Sequence, residues 1–464
     1  MFGDDRESAI VRSFTPGNYT AIRTSPWSKF TRSINNPAAT EPYEKSKPRG
    51  KNYYDFVQHR LRNPLVKGES NHFYVAKKYE RKTNMKKMKN QGVKIVALTT
   101  ILSALVLVSA FGASPPNNVS VFATGLNNPR GLKFGPDGYL YVAEGGIGGS
   151  NSTIGCCEQA AAVGPYTGSV TGSRISKINA NGVVTTAVDN LPSSQTTPDT
   201  GSLVSGAADV SFIGNTLYIL LAGAGCSHGV PQVPEMPNGV IRVNADGTLD
   251  LIANLGAFQM ANPVAHPNPG DFEPDGTWYS MIADRSDGNH VNLFAVEPNH
   301  GELDMITPAG HISRVIDISA SQGHIVPTAV AVHDNDKFYV GNLDTFPIVP
   351  GSSKVYEISK NGHIRAVAEG LSAITGVAFD SQHRMYVLEM STSDGGPNPG
   401  DGKLVRMNHP DGGPHDRDQT VIADGLTFPT AMTFGPDGAL YVSHKGFGFP
   451  PDGEGEILLI TVPH

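Results

Sequence analysis

The sequence predicts an all-β fold, a six-bladed β-propeller, from its composition and from a phrase that recurs along the chain. Glycine (52 residues) and proline (34 residues) make up about 19% of the 464 residues, which is typical of many short strands joined by turns. The phrase "PRGLKFGPDGYLYVAEGG" at Pro129–Gly146 is nearly repeated as "PTAMTFGPDGALYVSHKG" at Pro429–Gly446. Such self-similarity indicates a repeat architecture.

Weaker copies of the phrase lie between these two. Aligned on the aromatic residue of "LYV", the six copies centre on Tyr141, Tyr218, Phe294, Tyr339, Tyr386 and Tyr441. The spacing between neighbouring copies runs from 45 to 77 residues, and one four-stranded propeller blade takes about 40–50 residues. The spacing therefore predicts six blades, the longer of which carry insertions.

The two ends of the repeat region predict how the ring is completed. Each unit reads as an apolar strand, a tight turn, the "LYV" strand, a variable loop, a third strand, a second turn and a fourth strand. The sixth unit ends at "EILLITVPH" and lacks a fourth strand, which "NNVSVFATG" (Asn117 to Gly125) can supply from the other end. This pairing leaves no long sheet edge exposed, so we expect a propeller over residues 117–464 closed by its amino-terminal strand.

The residues before the propeller predict export. "KIVALTTILSALVLVSAFGASPP" follows the basic stretch "MKKMKNQGVK", and this arrangement predicts a signal peptide over residues 85–113. The alternative is an uncleaved membrane anchor, which would be the only link to a membrane. Residues 1–84 are polar and without clear period, and we interpret them as a disordered extension or as sequence upstream of the true start. The body is expected to be periplasmic or extracellular.

Charge is divided unevenly along the chain. Residues 1–90 hold 19 Lys and Arg against 8 Asp and Glu, and the remainder holds 17 against 35. An acidic body argues against nucleic acid as a partner, because phosphate binding needs a basic face.

The three cysteines permit one disulfide in an exported protein. One of the adjacent pair Cys156 and Cys157 can bridge to Cys226, and we take Cys157–Cys226 as the candidate.

Insertions concentrate on one face of the predicted disc. In antiparallel blades, the second-to-third loops and the blade-to-blade links lie on one face, and the two tight turns of each blade lie on the other. Nearly all long Gly/Pro-rich segments fall in the first group, among them "GGIGGSNSTIGCCEQAAAVGPYTGSVTG" and "LGAFQMANPVAHPNPGDFEPDG". Functional residues favour loops on a rigid scaffold, so we expect a small molecule or a protein to bind at this loop-rich face.

Polar residues end most of the second strands. The equivalent positions are Glu144, Leu221, Glu297, Asn342, Glu389 and His444. In one interpretation they form a ring of ligands and proton-transfer groups, and in the other each caps its own loop by accepting backbone N–H bonds. His300 and His324 are further candidates on this face. Several histidines on one face can bind a metal, but they have no paired spacing. The cofactor is unknown, with a divalent metal such as calcium as a candidate.

Three segments resemble a known family: "GLxxPxGLxFGPDGxLYVAE", "GHIVPTAV…FYVGNLDTFPIVPGSSKVYEI" and "GLTFPTAMTFGPDGALYVSHKGFG…GEGEIL". They are similar to the ScyD/ScyE family of exported propellers, named for the cluster that makes the pigment scytonemin in cyanobacteria. The resemblance covers about residues 119–462. It implies an exported six-bladed propeller related to NHL-repeat and gluconolactonase-type propellers, with no settled activity.

The gluconolactonase relatives suggest positions for a site on the propeller axis. In them, Glu, Asn and Asp at the starts of first strands hold a divalent metal. The matching positions here are Arg130, Ala208, Tyr279 or Ser280, Thr328, Thr375 and Thr430. None is a carboxylate or an amide, and Asp209 lies one residue away, where its side chain points to the other sheet face. An arginine with several threonines suits an anion or a polar small molecule.

Three hypotheses of function follow. The first is an exported binding or scaffold propeller without catalysis. The alternative is a metal-assisted hydrolase or isomerase of the gluconolactonase or strictosidine-synthase-like type, with Glu297, His300, Glu389 and His444 as ligands or acid–base groups. The third is a purely structural repeat. The sequence leaves open whether the protein is an enzyme.

Overall fold

The structure is a computed structural model, and it describes residues 118–152, 154–155, 164–196, 203–230, 237–285, 290–333, 337–408, 417–447 and 454–463. The predicted extension at 1–84 and the predicted signal at 85–113 lie outside the described residues. The described chain forms six antiparallel β-sheets. The predicted all-β, six-bladed propeller is therefore confirmed.

The first half of the chain builds blades 1 to 3. Strand β1 (Val119–Leu126) precedes blade 1, whose strands are β2 (Pro129–Phe134), β3 (Leu140–Glu144), β4 (Asn151–Ser152), β5 (Thr167–Ile178), β6 (Val184–Gln195) and β7 (Val204–Ser205). Blade 2 contains β8 (Ala207–Ile213), β9 (Thr216–Leu221), β10 (Gly239–Val243) and β11 (Leu249–Asn254). Blade 3 contains β12 (Ser280–Asp284), β13 (Asn292–Glu297), β14 (Glu302–Ile306) and β15 (Ile312–Asp317).

The second half builds blades 4 to 6. Blade 4 contains β16 (Pro327–His333), β17 (Lys337–Asn342), β18 (Ser353–Ser359) and β19 (Ile364–Leu371). Blade 5 contains β20 (Ile374–Phe379), β21 (Met385–Glu389), β22 (Gly402–Met407) and β23 (Gln419–Leu426). Blade 6 contains β24 (Ala431–Phe434), β25 (Leu440–His444) and β26 (Gly455–Ile460), and its fourth strand is β1, which pairs antiparallel with β26.

Two short helices lie in the links between blades. Helix α1 (Leu255–Ala261) follows blade 2, and Asn254 caps it by accepting the N–H of Ala257 at 2.8 Å. Helix α2 (Ser319–Gln322) follows blade 3. Neither was expected from the strand pattern. Within the described ranges, no helix is long and apolar enough to span a bilayer.

The repeated "GPDG" phrase has a local physical cause. In the turn before β25, Tyr441 donates its hydroxyl to Asp437 at 3.0 Å, and Gly438 has φ +78°. A Cβ on Gly435 would lie 2.5 Å from the Tyr441 ring, so the first glycine lets the ring cross the turn. The turn before β3 repeats this arrangement with Gly135, Asp137 and Tyr141.

The core lies between the blades rather than inside any one of them. One buried cluster joins blades 3 and 4, where the rings of Phe294 and Phe338 lie 4.6 Å apart. Another joins blades 2 and 3 around Trp278 and Leu255. Strands buried on both faces need apolar residues at successive positions, as in "LYILL" of β9.

The first strands line the centre of the ring. Each first strand contacts the first strand of the next blade all the way round, including β24 against β2. Three threonines link this inner ring: the hydroxyl of Thr328 donates to Ile374 O (2.5 Å), that of Thr375 to Pro429 O (3.0 Å), and that of Thr430 to Pro129 O (2.6 Å). In each case the acceptor is the carbonyl just before the equivalent position of the next blade.

Candidate functional site

A cavity of about 380 Å³ lies at the inner ring, on the loop-rich face. Its walls come from the second-to-third loops of blades 1, 2, 3, 4 and 6 and from the segments at 203–208, 268–279 and 324–328. Its volume lies in the range of small-molecule sites. The polar lining includes Arg130, Tyr166, Asn268, Asp271, Glu273, Thr277, Tyr279, Asn299, His324, Thr328 and Asp344, and the apolar lining includes Leu203, Ala208, Ala222, Trp278, Val326, Leu343, Phe346 and Phe447.

Four of the six positions that begin first strands line this cavity. They are Arg130, Ala208, Tyr279 and Thr328. Tyr279 is thus the cavity residue of blade 3, whereas the hydroxyl of Ser280 donates to Thr328 O at 2.8 Å and accepts from the N–H of Val330. Thr375 and Thr430 are not part of the lining, and their hydroxyls are used between blades.

Arg130 places a positive charge in the cavity. Its guanidinium donates to the carbonyl of Val204 and interacts with the hydroxyl of Tyr279. Tyr279 in turn donates to Thr430 O at 3.0 Å. Burial lowers the pKa of Arg130. Among the described residues, no carboxylate oxygen lies within 4.0 Å of its guanidinium, so its charge lacks a close counter-ion from that part of the chain.

Glu273 is a buried carboxyl in the cavity wall. Its side chain is almost fully enclosed, and Tyr166 donates to its Oε1 at 2.7 Å while the Thr277 hydroxyl contacts Oε2. Burial raises its pKa to about 8, and the neighbouring acids Asp271, Glu297 and Asp275 act in the same direction. Glu273 therefore holds a proton at neutral pH.

His228 lies behind Glu273 and is neutral. Its Nε2 lies 3.1 Å from Gly276 O, and a carbonyl can only accept, so Nε2 carries the proton. Its Nδ1 lies 3.1 Å from the hydroxyl of Ser194 and accepts from it. Burial lowers the pKa of His228. Although Nε2 is 3.5 Å from Glu273 Oε2, this imidazole supplies no positive charge to that carboxyl.

His324 and Asp271 form a pair at the cavity wall. Nε2 of His324 lies 3.0 Å from Asp271 Oδ2, and both residues line the cavity. An ionised carboxylate can only accept, so in the neutral imidazole the proton lies on Nε2 and the lone pair lies on Nδ1. A carboxylate that orients a histidine in this way is a recurrent feature of general bases.

The polar ends of the second strands lie outside the cavity lining. Each contacts the link before the first strand of its own blade: Glu144 accepts Asn127 N–H (2.6 Å), Glu297 accepts Thr277 N–H (2.9 Å), Asn342 donates to Ile325 O (3.0 Å), Glu389 accepts Ser372 N–H (2.6 Å), and His444 Nε2 accepts Thr427 N–H (2.7 Å). Four of these five contacts are accepted backbone N–H bonds, as in the capping interpretation, and Asn342 separately accepts the N–H of Lys354 at 2.7 Å. The capped segment is mainly the preceding link, although Glu297 also accepts the N–H of His300 in its own loop.

Three of these side chains also pair with an ionisable side chain of the opposite type, acid with base. Glu144 accepts from Arg174 Nε at 2.7 Å, and Glu389 lies 3.2 Å from Lys403 Nζ. His444 Nδ1 lies 2.7 Å from Glu456. Each pair lies within a single blade, and its partner provides an opposite charge or a hydrogen bond to the buried side chain.

Asp209 and His300 are also placed away from the cavity lining. Asp209 is 5% exposed and accepts the N–H groups of Val210 and Met281, both at 2.8 Å, so it joins blade 2 to blade 3. Burial raises its pKa to about 6. The His300 ring packs against Phe272, with centroids 5.1 Å apart, and neither ring nitrogen has a hydrogen-bond partner among the described residues.

Arg130 and His324 are the predicted residues that the structure brings together in the cavity. Within the described ranges, no group of three or more His, Cys, Asp or Glu side chains has a metal-binding arrangement. Cys226 is disulfide-bonded. Cys156 and Cys157 lie outside the described residues, so the Cys157–Cys226 pairing stays a prediction.

Sequence reasoning missed the polar residues of the link between blades 2 and 3. Asp271, Glu273, Thr277 and Tyr279 belong to "DFEPDGTWY", a segment without a counterpart in the other units. Tyr166 was missed for the same reason. The available signal was three acids at alternate positions, shortly before Trp278 and Tyr279, within a Gly/Pro-rich link.

Comparison with known proteins identifies no family and no curated relative: no family model matches the chain, and no curated protein matches it. Similar solved structures include a candidate oxidoreductase (glucose dehydrogenase) of Thermus thermophilus, with 16% identity, a TM-score of 0.45, and coverage of 74% of this chain and 99% of the other. A gluconolactonase of Xanthomonas campestris has 12% identity and a TM-score of 0.43, covering 74% and 89%. Virginiamycin B lyase of Staphylococcus aureus has 12% identity and a TM-score of 0.39, covering 74% and 99%.

Proposed function

We propose that this protein is an exported propeller of the ScyD/ScyE kind that binds a small organic monoanion in its central cavity. The observation that carries the proposal is Arg130, a partly buried guanidinium that lines the cavity and has no close carboxylate among the described residues. A charge that is partly removed from water and has no partner is costly. A ligand carboxylate would supply that partner through charge-assisted hydrogen bonds.

The rest of the lining restricts the ligand further. Trp278, Leu203, Phe346 and Phe447 form apolar wall, which favours an organic group over an inorganic ion. Asp271 and Asp344 also line the cavity. Their negative charges oppose a second negative charge on the ligand, so a monoanion fits better than a di- or trianion.

Export and the choice of partner belong to the same proposal. A disulfide at Cys226 supports an oxidising compartment, because disulfides persist mainly outside the cytosol. The basic stretch and apolar run at 85–113 support a signal peptide. The excess of Asp and Glu after residue 90 speaks against nucleic acid as a partner.

The test is a thermal-unfolding series on the full chain with hexanoate, benzoate, citrate and the neutral hexanamide. A monoanion at 100 times its Kd should stabilise the protein by about 2.7 kcal/mol, whereas citrate and hexanamide should do much less. Arg130→Gln should weaken monoanion binding by about 30-fold or more, because it removes the charge partner.

The matched control is Arg242→Gln. Arg242 pairs with Asp250 at 2.7 Å near the second tight turn of blade 2, away from the cavity lining. This variant should bind hexanoate or benzoate as the unmodified protein does. Equal ligand-induced shifts in the unmodified protein and in Arg130→Gln would overturn the proposal.

A further inference from the structure

The cavity holds two proton-transfer groups that anion binding alone does not require. Glu273 and His324 both line it together with Arg130. An inference from these groups rests on the proposed function, because it assumes that Arg130 holds the ligand carboxylate. It adds a reaction to that binding.

Glu273 is arranged as a proton donor. Tyr166 donates to Oε1, and the hydroxyl of Thr277 contacts Oε2. Tyr166, His228, Asp271, Asp275 and Glu297 are the titratable groups that face it. Within the described residues none of these groups is a cation, since His228 is neutral. Burial and the neighbouring acids favour the protonated carboxyl, and they outweigh the hydrogen bond from Tyr166, which favours the ionised form.

His324 is arranged as a proton acceptor. Its Nε2 lies 3.0 Å from Asp271 Oδ2, and the hydrogen bond to this carboxylate fixes the tautomer with the lone pair on Nδ1. A positive charge that forms on the imidazole would be stabilised by the same carboxylate. Asp271 is thus a positioning residue for His324.

We propose that the cavity catalyses proton transfer on a bound 2-oxo carboxylate, with His324 removing a proton from C3 and Glu273 giving a proton to the C2 carbonyl oxygen. This ligand class offers one group to each of the three side chains: the carboxylate to Arg130, the carbonyl oxygen to Glu273 and an acidic C–H to His324. The apolar walls accept a substituent at C3.

The step conserves atoms and electrons without a redox partner. The C3–H bond breaks and its proton goes to Nδ1 of His324. The electron pair forms the C2=C3 bond, and the carbonyl π pair moves to oxygen, which takes the proton of Glu273. The product is the enol, and the reverse step regenerates the ketone. In D2O the returning proton is a deuteron.

The experiment follows deuterium exchange at C3 by proton NMR, using the full chain in D2O with pyruvate and with 4-methyl-2-oxopentanoate. The C3–H signal should disappear faster than in buffer, and the rate should saturate with substrate. His324→Gln and Glu273→Gln should each slow exchange by about 10²–10⁴-fold. Asp271→Asn should lower kcat with KM unchanged, because it disorients the base without touching the carboxylate site.

A control variant separates this chemistry from general effects of histidine replacement. His311→Gln changes an exposed histidine in the turn between β14 and β15, remote from the cavity lining, and should leave exchange unchanged. His324 is only partly buried, so His324→Gln decides the matter even if Glu273→Gln does not fold.

The outcomes separate this inference from the proposed function. If an oxo acid binds in an Arg130-dependent way but exchanges only at the buffer rate, proton transfer is wrong and anion binding stands. If other monoanions bind and the oxo acids do not, proton transfer is again wrong and anion binding again stands. If His324→Gln exchanges as fast as the unmodified protein, the assignment of the base is wrong. If no anion binds, both proposals fall.

Discussion

The two halves of the inner ring use the same backbone position in opposite ways. In blades 4, 5 and 6 this position holds Thr328, Thr375 and Thr430, whose hydroxyls each donate to the next blade. In blades 1, 2 and 3 it holds Arg130, Ala208 and Tyr279, which all line the cavity. The repeated threonine therefore links the ring, and the departures from it line the site together with Thr328, which serves in both ways.

The electrostatics of the two halves differ as well. Glu273, on the cavity side, faces no cationic group in the part of the chain that the structure describes, and burial raises its pKa to about 8. Glu389, in blade 5, lies 3.2 Å from Lys403. Burial raises the pKa of Glu389, but the lysine charge opposes that increase. A buried acid with a cationic partner contributes to the fold, and a buried acid without one can hold a proton at neutral pH, which suits proton transfer.

The largest expected effect is a loss of stability in the cavity half as the pH rises from about 4 to 8. The folded-state pKa values of Glu273 (about 8), Glu302 (about 7) and Asp209 (about 6) lie above their unfolded values. Such acids contribute stability below the unfolded pKa, near 4, and that stability is lost as pH rises through the folded pKa. Each group should lower the free energy of unfolding by up to about 1.4 kcal/mol per pH unit in its window.

This effect is measured by denaturant unfolding between pH 5 and 9. In Glu273→Gln this position does not titrate. The free energy of unfolding should therefore fall less steeply between pH 5 and 8, by the slope that about one proton contributes. Asp246→Asn is the control, because the Thr248 hydroxyl and N–H hold the pKa of Asp246 below its usual value, outside this window. An unchanged slope in Glu273→Gln would show that Glu273 is already ionised in the folded protein.

The second effect concerns the packing of blade 1 against blade 2. A Cβ on Gly131 would lie 1.9 Å from Oδ1 of Asp209 and 2.7 Å from its Cα. Gly131→Ala should therefore cost about 1–3 kcal/mol, as overpacking does. Asp209→Ala removes the carboxylate, so Gly131→Ala should cost less in that background. A double-mutant cycle measures this coupling, and additive costs would contradict the proposed clash.

The third effect concerns the threonine half. Thr430→Val leaves the buried carbonyl of Pro129 without its hydroxyl donor and should destabilise the fold by about 1–3 kcal/mol. Thr375→Val, at the equivalent place, should behave alike. Neither residue lines the cavity. The affinity of both variants for hexanoate or benzoate, measured by titration, should therefore equal that of the unmodified protein. A large change in affinity would remove the distinction between the halves.

The smallest expected effect is that of Tyr279→Phe. Loss of this hydroxyl removes the donor to Thr430 O and the contact with Arg130, at a stability cost of about 0.5–1.5 kcal/mol. Affinity for monoanions should fall as well, in contrast to the threonine variants. The free energy of unfolding and the affinity for hexanoate or benzoate should be measured for each variant. Tyr279→Phe should lower both quantities, whereas the threonine variants should lower only the free energy of unfolding.

Much of the fold could be predicted because the determinants of a blade are local. The "GPDG" turn needs a glycine at a positive φ and an Asp–Tyr hydrogen bond four residues apart, and both occur within one short phrase. Apolar residues at successive positions indicate strands buried on both faces. The number of blades follows from counting these phrases.

The candidate site was less predictable because its residues share no period. Arg130 was found through its position at the start of a repeat, and His324 through its place in a link on the loop-rich face. Glu273 and Asp271 lie in a link whose length and path no repeat fixes, and helix α1 in the same link was also missed. Glu144, Glu297 and Glu389 were candidate site residues because they are polar at the ends of apolar strands. Each of them contacts the backbone of a neighbouring link instead of lining the cavity.

The sequence by itself determined the blade unit, the number of blades and the face on which the insertions gather, because turn chemistry and strand patterning act over a few residues. Only the tertiary structure decided which polar side chains meet. Tyr166 and Glu273 are 107 residues apart in sequence and 2.7 Å apart in space. Glu273 and Glu389 are both buried, so their partners, and not burial or residue type, separate Glu273, which holds a proton, from Glu389, which pairs with Lys403. Those partners meet only in the assembled ring.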